Sequence, residues 1–219
     1  MPAVLIIVSL LSISQITEAS TSGFYVADDE PRLFIQSQLG IASESDFGPA
    51  LLFHYESAFE PTRVFAISIG KQVGRNFFRW PASIVVYGSL QHFGERGTQP
   101  DFFGATIHVK AYRNFNLGTR RTPIRLGLGE GLSYVEQIPS VEVMDFLPQR
   151  SSRLVNYLEW TLQTSVGHFL GRPEGGFSAN IRDVYVGYSI FHRSTIFGLL
   201  ASEGGGINYM GISIELVLN

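Results

Sequence analysis

The sequence predicts an all-β chain: an antiparallel, up-and-down transmembrane β-barrel of eight strands. Three observations predict it. Long runs alternate apolar and polar residues with a period of two, as a sheet between two different surroundings requires. Glycine and aromatic residues are plentiful (23 Gly, 17 Phe, 9 Tyr) while charged residues make up only 16%, the profile of strands joined by turns. Several runs exceed the roughly 10 residues that a tilted strand needs to cross a bilayer.

The composition also excludes classes. The chain has no cysteine, which removes a disulfide framework and thiolate chemistry. Net charge is −3 and the 16 Lys and Arg are scattered, so there is no basic stripe for nucleic acid. The length suits one domain.

The first element is MPAVLIIVSLLSISQITEAS, a short apolar core followed by small residues, with Thr17 and Ala19 where a signal peptidase expects them. Residues 1–19 read as a secretory signal peptide and 20–219 as the barrel. No Lys or Arg precedes the apolar core, so a true start farther upstream, or a buried strand or helix here, are the other readings of this segment. Past the leader no apolar run reaches the roughly 20 residues of a membrane helix.

Nine runs follow, at 31–42, 49–58, 63–72, 82–93, 102–114, 122–135, 152–170, 181–194 and 206–219. Bacterial barrels use an even number of strands. The surplus lies among 31–42, 49–58 and 63–72, or a strand near 23–29 completes the count differently. In 102–114, Phe103, Ala105, Ile107, Val109 and Ala111 share an apolar face, against Thr106, His108, Lys110 and Asn114. In 152–170, Leu154, Leu158, Trp160, Leu162 and Val166 oppose Arg153, Tyr157, Glu159, Thr161, Gln163 and Ser165. In 206–219, Met210, Ile212, Ile214, Leu216 and Leu218 oppose Tyr209, Gly211, Ser213 and Glu215.

A soluble secreted barrel holding an apolar ligand would alternate in the same way, with the apolar face inward. The membrane reading is preferred because the polar faces carry complementary charges (Lys110, Arg125, Glu159, Glu215), which suit a small barrel's interior. Aromatics near run ends (Phe102, Phe103, Tyr112, Trp160, Phe169, Phe191, Tyr209) read as an interfacial girdle. The terminal ELVLN lacks the final Phe or Tyr common in such barrels. With both chain ends on the periplasmic side, 181–194 runs outward and the 136–151 connection lies outside.

The strand at 181–194 ends in FHRS. Val184, Val186, Tyr188 and Ile190 set its apolar face, and His192 and Ser194 continue it, so the lipid-facing side ends in a His and a Ser near the outer rim. A base beside a hydroxyl is the minimum for an activated nucleophile, and a third group should orient the imidazole. Two residues offer themselves. Asn208 falls roughly opposite His192 on the next strand, and Glu203 lies in the connecting loop. Asn can orient a His; Glu could also stabilise an imidazolium. The structural alternative is a polar pair that simply meets headgroups and water, at a cost of about 0–1 kcal/mol near the interface.

The segment FHRSTIFGLL, followed by GGGINYMGISIEL, resembles the C-terminal hairpin of the lipid A 3-O-deacylase (acyloxyacyl hydrolase-like) family and of related outer-membrane proteins. GLGEGLSYVEQ and RSSRLVNYLEWTLQTSVG resemble the same relatives, so the likeness covers about the C-terminal half. The resemblance implies an eight-stranded bacterial outer-membrane barrel with a His-x-Ser pair and a Glu on the next strand, all on the outer wall. The pair maps to His192 and Ser194. At the place of the Glu this chain has Gly206 and Asn208, with Glu203 somewhat early.

The implied function is an esterase that removes an ester-linked acyl chain from lipid A. Its partner would be lipopolysaccharide in the outer leaflet, with no nucleic acid, and a homodimer stays open. No cofactor or metal is needed. His192 would take the Ser194 proton and Ser194 would attack the ester, with backbone amides near Gly204–Gly206 as candidate oxyanion donors. The alternative is a non-catalytic outer-membrane barrel with a structural or binding role.

Two further residues stand out. Glu130 shares the lipid-face parity of Leu126, Leu128 and Leu132, which makes it a functional suspect, but a glycine bulge at Gly129 and Gly131 that turns it inward is the preferred reading. His108 is expected in an interior polar network with Lys110.

Overall fold

The computed structural model describes residues 32–59, 62–77, 80–117, 122–145, 152–172, 177–195 and 206–218. Eight strands form one closed antiparallel barrel in sequence order. They are β1 (Leu33–Ser43), β2 (Arg63–Phe77), β3 (Trp80–Gly94), β4 (Phe102–Leu117), β5 (Thr122–Val135), β6 (Leu154–Ser165), β7 (Ile181–Ser194) and β8 (Gly206–Leu218), with β8 paired back onto β1. The expected all-β, eight-stranded barrel is therefore present. The leader at 1–19 and the alternative strand near 23–29 lie outside the described residues.

The ninth run is not a strand. Within 49–58 the chain forms a short helix, α1 (Phe47–Leu51), and then only an isolated bridge, Ser43 to Ser57. Phe47, Ala50 and Leu51 are spaced i, i+3, i+4, a helical rhythm that the alternation count misses. They pack on the outer wall against Ile190, Met210, Trp160 and Tyr188. The run at 152–170 also ends early. Ser165 caps a one-turn helix, α3 (Val166–Phe169), by accepting from the His168 amide at 3.1 Å. The remaining helix, α2 (Ser140–Asp145), lies in the β5–β6 connection.

The connections at 44–62, 95–101, 136–153 and 195–205 all leave the end of the barrel opposite β1's start and β8's finish. That end carries the two longest connections, 44–62 and 136–153, while the other end has 78–79, 118–121 and 166–180.

Side-chain alternation follows the expected parity, with the polar faces inside. Glu159 accepts from Lys110 at 2.6 Å, Gln36 at 3.0 Å and Gln38 at 2.6 Å, and His108 Nε2 lies 3.0 Å from its second oxygen. A layer nearer the chain termini is built on Glu215. It accepts from Arg125 at 2.6 Å, Tyr112 at 2.5 Å and Tyr87 at 3.2 Å. Burying charge is tolerated because each carboxylate is met by a cation and several donors. The interior at these two levels is filled by the two networks, with Phe34, Val85 and Val217 packed against Tyr87 and Tyr112 beside the Glu215 layer. Glycine makes room for the network: a Cβ at Gly127 would fall 2.7 Å from Lys110 Cε and 2.9 Å from Tyr112 Cε1.

The aromatic girdle is partly a misreading. Phe102, Tyr112, Phe191 and Tyr209 face the interior. Phe102 stacks on Phe93 at 4.9 Å, and Phe191 on Tyr209 at 4.9 Å. These four rings other than Tyr112 belong to an apolar layer at the loop end, closed by Ala58 and Val141. Arg193 crosses this layer to Glu142 of α2 at 2.6 Å and to Ser133 at 2.5 Å. Burial pushes the Glu142 carboxyl above its ordinary value, against the pull of Arg193. Of the residues taken for the girdle, Phe103 remains on the outer face of β4, Trp160 on that of β6, and Phe169 lies exposed in α3.

Glu130 corrects a second expectation. The β4–β5 and β5–β6 registers run through it without a bulge, pairing it with Val109 and Leu158. Its side chain stays outward and exposed.

Candidate active site on the outer wall

Arg193 and Phe191 point inward, so His192 and Ser194 between and beyond them point out, at the loop end of β7. The next strand shows the same logic. Ile207 and Tyr209 are interior, so Asn208 and Met210 are outward. The β7–β8 register pairs His192 with Asn208 and Ser194 with Gly206.

His192 Nδ1 lies 2.8 Å from Asn208 Oδ1, and Asn208 Nδ2 donates to the Ser45 carbonyl at 2.6 Å. These two contacts decide the tautomer. The Ser45 carbonyl can only accept, so the amide nitrogen must face it and the amide oxygen must face the imidazole. An oxygen acceptor there requires the proton on Nδ1. Nε2 therefore carries the lone pair, the form a general base needs.

The position of that lone pair follows from glycine. A Cβ placed on Gly206 would overlap His192 Nε2 and Cε1. The imidazole thus lies across β8 in the space a side chain would occupy. Gly206 is the register partner of Ser194, and paired Cβ positions lie about 4.5–5.5 Å apart. The ring edge that carries Nε2 therefore lies over Gly206, the residue paired with Ser194.

The expected orienting residue Asn208 is in place; Glu203 lies outside the described residues. Three participants were not expected. Ser45, just past β1, anchors the Asn208 amide through its carbonyl. Phe47 of α1 sits against the imidazole, ring centroids 5.5 Å apart. Asn156 of β6 also shares the outward parity and pairs with Ser194 from the other side. The break it makes in the apolar series Leu154, Leu158, Trp160 was the available signal.

Along the wall from His192 toward the chain-terminal end, Ile41, Phe53, Tyr55, Tyr188, Met210 and Ile212 line an open apolar groove of about 390 Å³. Tyr188 ties α1 to the wall by donating to the Ala50 carbonyl at 3.2 Å. Among the described residues no group of three His, Asp or Glu side chains is arranged to hold a metal ion. Compared with protein-family models, curated proteins and solved structures, the chain matches none.

Proposed function

We propose that this chain is a bacterial outer-membrane esterase that removes an ester-linked acyl chain from lipid A, using Ser194 and His192 on the lipid-facing wall. The observation that carries the reading is the His192–Asn208 pair beside Ser194, with Nε2 left as the basic nitrogen.

Membrane insertion is supported by the outer surface. Ile69, Leu90, Ile107 and Ile212 are 65%, 70%, 62% and 56% exposed on outward faces of β2, β3, β4 and β8. So much apolar surface around a closed wall exceeds what a soluble monomer ordinarily shows, and every strand is at least as long as the roughly 9–11 residues of a tilted span. The polar interior and the two longest connections, both at one end, fit an outer-membrane barrel.

In the reaction, Ser194 Oγ attacks the ester carbonyl and passes its proton to His192 Nε2. The tetrahedral adduct collapses, the C–O bond to the sugar breaks, and the departing oxygen takes that proton from His192. Water, deprotonated by His192, then attacks the acyl-Ser194 ester. The fatty acid leaves and Ser194 recovers its proton. Asn208 holds the imidazole. The groove on the same wall, lined by Tyr188, Met210 and Ile212, is the apolar bed proposed for the acyl chain.

A non-catalytic barrel is the second reading. It is favoured by the neutral Asn208 where a carboxylate would stabilise an imidazolium, and by Phe47 lying against the ring. Mass spectrometry of lipid A from cells expressing wild type, His192→Ala and Ser194→Ala separates the two. Loss of one acyl mass in wild type alone supports the esterase. An unchanged profile in all three, with a heat-modifiable band in the outer-membrane fraction, supports the structural barrel.

A further inference from the structure

We propose that Asn156 supplies the oxyanion-stabilising amide of this site. The inference rests on the esterase reading and adds a residue to it. Tyr157 is interior, packed against His108 and Phe191, and Val155 is buried on the same side. Alternation turns Asn156 outward. The β6–β7 register sets it directly across from Ser194, with Leu158 across from His192.

The two flanks of Ser194 then divide the work. The β8 flank is occupied by the imidazole, which fills the space above Gly206. An oxyanion formed on Ser194 is met from the β6 flank, where Asn156 stands. Cβ atoms of a register pair are about 4.5–5.5 Å apart. An amide nitrogen two bonds beyond one Cβ can meet an oxyanion three bonds beyond the other.

The amide is held in place. Asn156 Nδ2 donates to the Gly131 carbonyl at 3.2 Å, which fixes the rotamer and occupies one of its two N–H groups. Asn156 is 5% exposed, while its same-face neighbour Leu154 is 45% exposed and its β5 partner Leu132 is 44%. A fixed, shielded donor is the kind that stabilises charge without reorganising. An amide on an outer wall of leucines and isoleucines is otherwise a cost to a membrane protein.

The test uses the full-length barrel folded in detergent micelles, with lipid A as substrate and wild type, Asn156→Ala, Asn156→Asp and Ser194→Ala compared. Heat-modifiable migration checks that each variant is folded. Expected is a loss in kcat of about 10²–10³-fold for both Asn156 variants, with KM changed less than about threefold. Asp keeps the shape but offers an acceptor in place of the donor, so it serves as the comparison should Ala disturb the fold. Wild-type kcat in a folded Asn156→Ala or Asn156→Asp protein would overturn the proposal and leave the esterase standing. Folded wild type that leaves lipid A intact would overturn both.

Discussion

Replacing Glu159 tests the interior on which the wall rests. The carboxylate is fully buried and accepts from Lys110, Gln36 and Gln38. Glu159→Leu keeps roughly the volume but leaves the Lys110 ammonium, itself 0% exposed, without its counter-charge. Breaking a buried pair from one side costs about 3–5 kcal/mol. Glu159→Leu with Lys110→Met removes both charges. The double variant should recover at least about 2 kcal/mol of that loss, because no lone charge remains. The residual deficit comes from Gln36, Gln38 and His108, each left without its Glu159 partner at about 1–3 kcal/mol. The assay is urea unfolding from lipid vesicles, followed by the fluorescence of the two tryptophans, Trp80 and Trp160. A double variant no more stable than Glu159→Leu would refute the reasoning, since the penalty would then not come from an uncompensated Lys110.

Three further predictions concern the outer wall. Gly206→Ala places a methyl where the imidazole lies; lipid A deacylation should fall at least about tenfold while heat-modifiable migration is retained. Asn208→Leu frees the imidazole tautomer and should lower kcat by up to about 10⁴-fold. Asn208→Asp keeps the acceptor and adds a charge that favours the protonated ring, so the acidic limb of its pH–rate profile should move to higher pH, read from initial rates across the range in which an imidazole titrates, about pH 4–9. Glu130→Leu removes a carboxylate from the outward face and should stabilise the barrel in vesicles by up to about 2 kcal/mol, measured by urea titration.

The strand pattern was legible wherever one face met charge and the other met leucine or isoleucine, as in β4, β6 and β8. It failed at α1, where Phe47, Ala50 and Leu51 follow a helical spacing too short to stand out from alternation. It failed again at Phe102, Tyr112, Phe191 and Tyr209. Parity alone assigned these residues to the inner face, but their position near strand ends suggested an interface. Aromatic rings fill the mouth of a small barrel as readily as they ring its outside, and only the closed register decides. Within the candidate site, His192, Ser194 and Asn208 could be aligned from period two and a hairpin. Ser45 and Phe47 could not, because a connection that folds back onto the wall leaves no periodic trace. The outward Glu130 was ambiguous in sequence because flanking glycines permit a bulge; here Gly127 and Gly129 instead make room inside for Lys110, Tyr112 and His108.

The central claim is that the outward His192 and Ser194 cut an acyl ester of lipid A. The most direct measurement is the mass spectrum of lipid A from cells expressing wild type, His192→Ala and Ser194→Ala, each confirmed as a folded barrel in the outer membrane. The account predicts a species lighter by one acyl chain in wild type and in neither variant. Identical spectra from all three folded proteins would contradict it.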